Sequence, residues 1–179
     1  MGLIDRVSTG VPGLDEMIEG GLPVPSVILL AFVEKRYFGT EIRYIDLENV
    51  IEASRSADDI LFAIQSDLER FESRRVVIDS LSVIEVALIG DFRRFLLKFS
   101  TMIKEHKAVA LITGDSMPGA PYPIEIARVT DGIILLQNAE VNMVRKRSIE
   151  VLKMCGTSHH LGKNAVDISV KGLTVYPGL

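Results

Sequence analysis

The sequence lacks the features that would place it outside the cell or in a membrane. Its only cysteine, Cys155, has no partner for an internal disulfide, which is typical of a protein from a reducing cytoplasm. The longest apolar run, Val27–Val33, is far shorter than the roughly 20 residues that a transmembrane helix needs. No charged segment followed by an apolar one opens the chain, so no secretory signal is predicted. We therefore expect a cytoplasmic protein without membrane contact.

An excess of positive charge is lacking as well. The chain carries 24 acidic and 20 basic residues, whereas general nucleic-acid binders usually show a basic excess or stripe. The one basic triplet is Arg145–Arg147, for which a solvated strand face is the simpler interpretation. Asparagine and glutamine are scarce beside arginine and glutamate, which favours an archaeal or thermophilic source. The length of 179 residues predicts a single domain, 1–179.

A phosphate-binding loop of the form G-x-x-x-x-G-K-[ST] is also absent. In nucleotide-hydrolysing enzymes such a loop follows a buried strand, and its backbone N–H groups hold the phosphates. Here the first predicted strand, Ser26–Val33, is followed by Glu34–Gly39, which has one glycine at its end. The nearest match, Gly156 to Asn164, has one spacer residue too many and no hydroxyl at its last position. Neither segment is predicted to hold phosphates.

The most informative stretch that is present is RRVVIDSLS, residues 74–82. The run Val76–Ile78 is typical of a parallel strand buried on both faces, and Asp79 follows it where open α/β sheets bind ligands. In a nucleotide-hydrolysing enzyme this carboxylate would hold Mg²⁺, directly or through water. Without a phosphate loop we favour the simpler interpretation, a strand-end carboxylate that accepts hydrogen bonds from Ser80, Ser82 or nearby backbone. The sequence alone leaves both interpretations open.

The remaining pattern predicts alternating strands and helices, followed from Asp131 onward by strands with hairpin-length connections. The predicted elements are a short helix within Val7–Leu22 capped by Ser8 or Thr9, strands at Ser26–Val33 and Thr40–Leu47, a helix from Ile60 to Phe71 behind a capping sequence at Ser56–Asp59, a strand at Val76–Ser80, a helix at Asp91–Lys107, a strand at Val109–Thr113 and a helical turn at Ile124–Val129. This order predicts an α/β protein whose mostly parallel sheet is flanked by helices and extended by C-terminal antiparallel β-hairpins.

Three stretches together resemble one family. VSTGVPGLDEMIEGGLP (residues 7–23) is similar to the opening of the RecA-like ATPases of the KaiC type, and RRVVIDSLS is similar to their Walker B strand. Residues 129–160, with DISVKGLTVYP behind them, resemble the C-terminal β region of the same family. The resemblance implies a RecA-like P-loop NTPase fold, with ATP and Mg²⁺ bound between the subunits of a ring.

The resemblance also implies parts that this chain does not have. Family members carry the phosphate loop, a helix, a second strand and a pair of catalytic glutamates ahead of the Walker B helix. About 30 residues or more, one βαβ-type unit, are missing here, so the fold is expected to be truncated. If TEIRYIDL (residues 40–47) matches the strand before the Walker B helix, which we prefer, both glutamates are absent. If it matches the second strand, Glu48 is a candidate catalytic residue.

The half of the family site that faces the neighbouring subunit is altered too. Family members carry K-x-R-G-T-x-H, whose lysine and arginine reach the neighbour's γ-phosphate. Lys153 matches this lysine, but Cys155 stands in place of the arginine. The resemblance therefore leaves Asp79, Ser80 and Lys153 as remnants of a nucleotide and magnesium site, with Asp79 as the candidate metal ligand.

Three functional hypotheses follow. The leading one is a non-hydrolysing regulatory or scaffold subunit, which forms a homo-oligomer or pairs with an active KaiC-like or RecA-like relative. The second is residual ATP binding or weak ATPase activity at a subunit interface, and the third is a DNA-repair or recombination accessory protein. The interface candidates are two aromatic residues of the segment that replaces the phosphate loop and two residues near Cys155: Tyr37, Phe38, Thr157 and His159.

Overall fold

The computed structural model describes residues 4–32, 47–54, 56–115, 124–170 and 172–178. Within these ranges no helix is long and apolar enough to cross a membrane. The elements in chain order are β1 (Arg6–Val7), α1 (Leu14–Met17), β2 (Leu22–Pro23), β3 (Ser26–Phe32), α2 (Leu47–Ala53), α3 (Ala57–Phe71), β4 (Arg75–Ile78), α4 (Leu81–Ala87), α5 (Phe92–Glu105), β5 (Val109–Asp115), α6 (Ile124–Val129), β6 (Gly132–Val141), β7 (Val144–Met154), β8 (Lys163–Ser169) and β9 (Gly172–Tyr176).

Seven of the described strands form one sheet in the order β4-β5-β3-β6-β7-β8-β9. The pairings β4–β5, β5–β3 and β3–β6 are parallel, and every pairing from β6 to β9 is antiparallel. This arrangement confirms the predicted parallel sheet with an antiparallel C-terminal extension. It also makes β4, which carries the informative stretch, the terminal strand of the described sheet. The strands β1 and β2 form a separate two-stranded pairing.

One face of the parallel strands is covered by the long helices. The apolar stripe of α5 packs there, with Phe95 and Phe99 buried and their rings stacked at 5.9 Å between centroids. Leu29 and Ile78 belong to the same core cluster, as do the buried residues of α3. Phe92 is half-buried against this cluster. The prediction that the aromatic residues of this helix form core is therefore confirmed.

The opposite face is covered by α1 and by the antiparallel strands. Leu14, Met17 and Ile18 pack against Ile28 and against buried residues of β6, β7 and β9. Because side chains alternate along a strand, Val77 of β4 points to this second face. It lies in register with Leu111 and is 64% exposed. The second face is thus well covered at its centre and open at the β4 end.

The predicted short helix within Val7–Leu22 is confirmed, but its predicted cap is wrong. Only Leu14–Met17 is helical, Gly13 occupies the N-cap position, and Val7 instead pairs with Leu22. Gly13 has a φ of +83°, and a Cβ at this position would lie 2.0 Å from the Val175 carbonyl oxygen. Ser8 and Thr9 do not cap the helix, because the side chain of Asp15 engages both of their hydroxyls.

Other predicted boundaries are largely confirmed. Ser56 caps α3, and its hydroxyl accepts a hydrogen bond from the Asp59 N–H at 3.3 Å. Most of the predicted strand Thr40–Leu47 lies outside the described residues, although Leu47 itself begins α2. The helices α2 and α4 were not predicted, because seven residues are too short to display a clear helical period.

Candidate functional site

Asp79 emerges at the carboxyl edge of the parallel strands, as predicted. Ile78 is in register with Ile112, so Asp79 comes beside Thr113 on the neighbouring strand. The Thr113 hydroxyl donates a hydrogen bond to Asp79 Oδ1 at 2.6 Å and also lies 3.4 Å from the Ile78 carbonyl oxygen. Thr113 is buried, whereas Asp79 is exposed. A buried hydroxyl on the next strand therefore orients the exposed carboxylate.

The expected donors to this carboxylate, Ser80 and Ser82, bond to each other instead. Their hydroxyl oxygens are 3.1 Å apart, and Ser80 is buried at the N-cap position of α4. The prediction that they bond to Asp79 is wrong, because the chain turns into α4 directly after the strand. The peptide bond between Asp79 and Ser80 is cis. Thr113 was missed as the partner, although a parallel pairing of the two predicted strands would have identified it.

Among the described residues, the three side chains at this edge do not by themselves complete a site for Mg-ATP. Asp79, Ser80 and Thr113 provide one carboxylate and two hydroxyls, and both hydroxyls already take part in hydrogen bonds. Protein-bound Mg²⁺ usually completes its coordination with waters and substrate phosphates, and the phosphates need cationic or N–H partners of their own. These three side chains carry no positive charge. In the part of the chain that the structure describes, no group of three or more His, Cys, Asp or Glu could hold a metal ion.

Lys153 lies at the opposite end of the parallel strands, where they begin. It is in register with Ile133 near the start of β6, because β7 runs antiparallel to β6 and ends where the parallel strands begin. Its Nζ donates hydrogen bonds to the Thr130 carbonyl oxygen at 2.5 Å and to the Ala127 carbonyl oxygen at 3.5 Å. The lysine is half-buried and bound to the end of α6. Asp79 and Lys153 therefore cannot act on one ligand within a single chain.

Asp131 also lies at the end where the parallel strands begin, and it accepts several hydrogen bonds there. Its Oδ2 accepts a hydrogen bond from the Val27 N–H at 3.0 Å, and its Oδ1 accepts one from Lys104 Nζ at 2.9 Å. Its carbonyl oxygen accepts the Cys155 N–H at 2.9 Å. Cys155 stands where the K-x-R-G-T-x-H motif has its arginine, and its backbone is therefore fixed to the core by this hydrogen bond. Cys155 itself is exposed.

Arg6 fixes the segment that follows Lys153 and was not identified from the sequence. Its Nη1 donates to the carbonyl oxygens of Ile18 and Gly21 at 3.0 Å and to the Thr157 hydroxyl at 3.1 Å. Its Nη2 forms an ion pair with Glu19 Oε2 at 2.9 Å. The Arg6 side chain is only 17% exposed. A lone arginine in a two-residue strand gives no sequence signal, so only the fold reveals this role.

The interface candidates are placed unequally. Thr157 is bonded to Arg6, and His159 is half-buried, with Nδ1 3.4 Å from the His160 carbonyl oxygen. Tyr37 and Phe38 lie outside the described residues. Glu48 lies in the first turn of α2, which contacts α3 and α4, but its side chain is not among those described.

The basic triplet lies on a two-stranded ribbon. Among the described strands, residues 144–147 pair with β6 and with no other, because β8 joins β7 from Ser148 inward. The turn residues Asn142 and Met143 both have positive φ, at 53° and 60°. Arg145–Arg147 are all exposed, and Met143 at the tip is 93% exposed. The basic triplet therefore lies on an exposed strand face, a placement that suits a solvated surface and a nucleic-acid contact alike.

Comparisons with known proteins agree with this fold. A family model described as "ATPase: KaiC" matches residues 36–179. A UPF0273 protein of Methanocaldococcus jannaschii is 25% identical over 236 residues, covering 96% of each chain. The circadian clock oscillator protein KaiC of Synechococcus elongatus is 28% identical over 215 residues, covering 93% of this chain and 41% of KaiC.

A solved structure is also similar to this chain. The crystal structure of a KaiC-like protein from the hyperthermophilic archaeon Pyrococcus horikoshii OT3 matches with a TM-score of 0.78 and 25% identity, covering 98% of this chain and 100% of that one. This likeness confirms the predicted RecA-like α/β fold. The alignment with the Methanocaldococcus protein spans 236 positions, more than the 179 residues of this chain, so it includes positions with no counterpart here.

Proposed function

The chain belongs to the KaiC family of ATPases, and from this premise we propose that it is a non-hydrolysing member that acts as a regulatory or scaffold subunit. One observation carries the proposal. Between Phe32 at the end of β3 and Leu47 at the start of α2, residues 33–46 contain a single glycine and no G-x-x-x-x-G-K-[ST] sequence. Without that loop, the backbone N–H cradle for the phosphates has no source at the position where the family resemblance implies it.

The residues that would face the neighbouring subunit's nucleotide support the same proposal. Lys153 donates its hydrogen bonds to carbonyl oxygens of its own chain, and Cys155 replaces the arginine that the family resemblance implies. Supplying such an arginine raises turnover by roughly 10³–10⁵ in related phosphoryl-transfer enzymes. A neighbouring subunit would therefore receive little catalytic help from this chain.

A scaffold role requires a partner, which we propose to be a second copy or an active KaiC-like relative. The segment from Cys155 to His160 supports this part of the proposal, because it is held by contacts at several points. Arg6 bonds to Thr157, the Ser158 N–H lies 3.3 Å from Glu19 Oε2, and the His160 N–H donates to the Met17 carbonyl oxygen at 3.0 Å. A pre-formed segment loses less conformational entropy on binding than a disordered one. A cytoplasmic location stays a prediction.

Thermal unfolding with and without excess Mg-ATP tests the proposal. A ligand present at about 100 times its dissociation constant stabilises a protein by roughly 2.7 kcal/mol, which would raise Tm by about 5–10 °C at this size. We expect no shift for the wild type, and no ATP hydrolysis above background. A Tm rise that is lost in Asp79→Ala but kept in the exposed control Asp167→Ala would contradict the proposal. It would favour the second hypothesis, in which ATP binds with Asp79 and a partner's lysine.

A nucleic-acid accessory role is a second candidate, favoured by the ribbon geometry. A two-stranded ribbon fits the DNA major groove, and Arg145–Arg147 extend from the sheet on such a ribbon. DNA binding that falls steeply with salt in the wild type and disappears in the triple alanine variant would support this role. The control Arg145→Lys/Arg147→Lys keeps the charge and should keep most of the binding. Binding that the triple alanine variant retains in full would remove this candidate.

A further inference from the structure

The outer edge of β4 is a strand edge that the described part of the chain leaves without a partner. Among the described strands, β4 pairs with β5 on one side and is the last strand of the sheet. The Val109 N–H donates to the Arg74 carbonyl oxygen at 2.9 Å, so even-numbered residues of β4 turn their backbone groups toward β5. Arg75, Val77 and Asp79 therefore direct their N–H and C=O groups outward. Such an edge is a template for another strand.

The side chains along this edge have a self-complementary order. Two exposed arginines, Arg74 and Arg75, begin it, the exposed Val77 occupies its centre, and the exposed carboxylate of Asp79 ends it. Neither arginine forms an ion pair with any described residue. The carboxylate binds Thr113 through Oδ1, which leaves Oδ2 for another donor. An antiparallel copy of the same strand would bring opposite charges together at both ends.

We propose that two copies of this chain associate through the outer edges of β4, antiparallel and about a two-fold axis beside Val77, so that one sheet continues through both. In this register Val77 faces Val77 of the second copy, and Arg75 faces Asp79 of the second copy twice. Residues 75, 77 and 79 share one face of the strand. The two ion pairs therefore lie on the same face of the sheet as the valine contact, one before it and one after it along the strand. On the other face, Val76 meets Ile78 of the second copy.

Symmetry and charge together select this register. A two-fold axis perpendicular to the sheet pairs residues of the same face, which excludes shifts by one residue. A shift by two residues would place Val77 opposite Arg75 or Asp79, and either shift removes both ion pairs. This pairing gives a geometry to the self-association that the proposed function invokes, and it depends only on residues of β4.

Sedimentation equilibrium over a concentration series tests the pairing, with four variants of the β4 edge and one control variant elsewhere. We expect a dimer for the wild type and a monomer for Val77→Lys, which would place two ammonium groups at the axis. The control Val170→Lys makes the same change in a fully exposed turn far along the chain and should remain dimeric. Arg75→Asp and Asp79→Arg alone each place like charges opposite each other and should weaken dimerisation about tenfold. The double variant Arg75→Asp/Asp79→Arg restores opposite charges and should recover the wild-type dissociation constant.

Amide hydrogen exchange of the wild type provides a readout that needs no variant. The amides of Arg75 and Val77 point outward, so we expect their protection to increase with protein concentration, while the inward amide of Val76 is protected throughout. A wild type that stays monomeric would overturn the proposal and would mean that another segment or another protein covers the edge. A dimer that survives Val77→Lys, or a double variant that fails to recover, would also overturn it. Thermal unfolding with Mg-ATP measures nucleotide binding and not dimerisation. The outcome of the dimerisation tests therefore does not affect the proposed loss of hydrolysis.

Discussion

The hydroxyl of Thr113 and the carboxylate of Asp79 are joined by a 2.6 Å hydrogen bond across the β4–β5 pairing. This contact gives the exposed carboxylate a defined orientation. It also makes the strand end a structural feature in its own right. Asp79 can therefore be tested for stability and association apart from any nucleotide.

Replacing the donor in this pair should lower stability. Thr113→Val keeps the shape of the buried side chain but removes the hydrogen bond to a charged acceptor. Hydrogen bonds to charged groups contribute roughly 1.5–3 kcal/mol, so we expect a loss of about 2 kcal/mol in the free energy of unfolding. Urea denaturation measures it. Thr101→Val, whose exposed hydroxyl donates to the Leu97 carbonyl oxygen at 3.1 Å, is the control and should lose well under 1 kcal/mol. Equal losses in the two variants would contradict this role for Thr113.

Asp15 should make stability depend on pH in the acid range. Burial raises its pKa, but hydrogen bonds from the Ser8 hydroxyl, from the backbone and hydroxyl of Thr9 and from the backbone of Gly10 outweigh it, so the pKa lies below 3.8. A carboxyl whose folded pKa is lowered stabilises the protein above its unfolded pKa and loses that contribution as pH falls. Asp15→Asn should therefore be less stable than wild type at pH 7, by about 1 kcal/mol.

Urea denaturation at pH 7, 5 and 3 checks the sign of this effect. The difference between wild type and Asp15→Asn should be the same at pH 7 and 5 and should shrink at pH 3. A difference that grows as the pH falls would show that the hydrogen bonds to Asp15 do not favour its ionised form.

Arg6 should stabilise the segment around Thr157. Arg6→Ala removes three hydrogen bonds and the ion pair with Glu19, and it leaves the carbonyl oxygens of Ile18 and Gly21 without this donor. A half-buried charge-assisted network of this kind is worth about 2–3 kcal/mol. Arg6→Lys keeps the charge but cannot reach all of these acceptors at once, so it should recover less than half of the loss. Hydrogen exchange at Ser158 and His160 should accelerate in Arg6→Ala, and unchanged exchange there would argue against the link.

Gly13 should tolerate no side chain, in contrast to Gly10. Both glycines have positive φ, at +83° and +70°, but a Cβ at Gly13 would lie 2.0 Å from the Val175 carbonyl oxygen, whereas nothing lies within 4 Å at Gly10. Gly10→Ala should cost about 1 kcal/mol from the backbone conformation alone. Gly13→Ala should cost at least 3 kcal/mol, because the clash is with backbone. Thermal unfolding of the two variants compares them directly, and equal Tm values would refute the close approach.

The long elements could be predicted because their apolar periods are regular. The stripe of α5 and the short β-branched runs of β3, β4 and β5 need only local spacing, and each appeared where it was expected. Which residues lie beside one another across the sheet could not be predicted in this way. That Thr113 faces Asp79 depends on β4 and β5 being neighbours in parallel register, and that Lys153 lies at the far edge depends on the direction of β7. The start of α1 at Gly13 rather than at Ser8 or Thr9 depends on the close approach of Gly13 to Val175, which the local sequence does not reveal.

The turn at Asn142 and Met143 offers a place to lengthen the molecule without disturbing its core. In the part of the chain that the structure describes, the ribbon that ends at this turn is formed by β6 and β7 without a third strand, and the side chain of Met143 at its tip is almost fully exposed. Inserting a pair of residues on each strand would preserve the inward and outward alternation, so the ribbon would grow while the remaining strands keep their register. A fluorescent label placed at this tip would sit far from the β4 edge. It would report rotational diffusion, and so the size of the particle, without touching the surface through which two copies are proposed to meet.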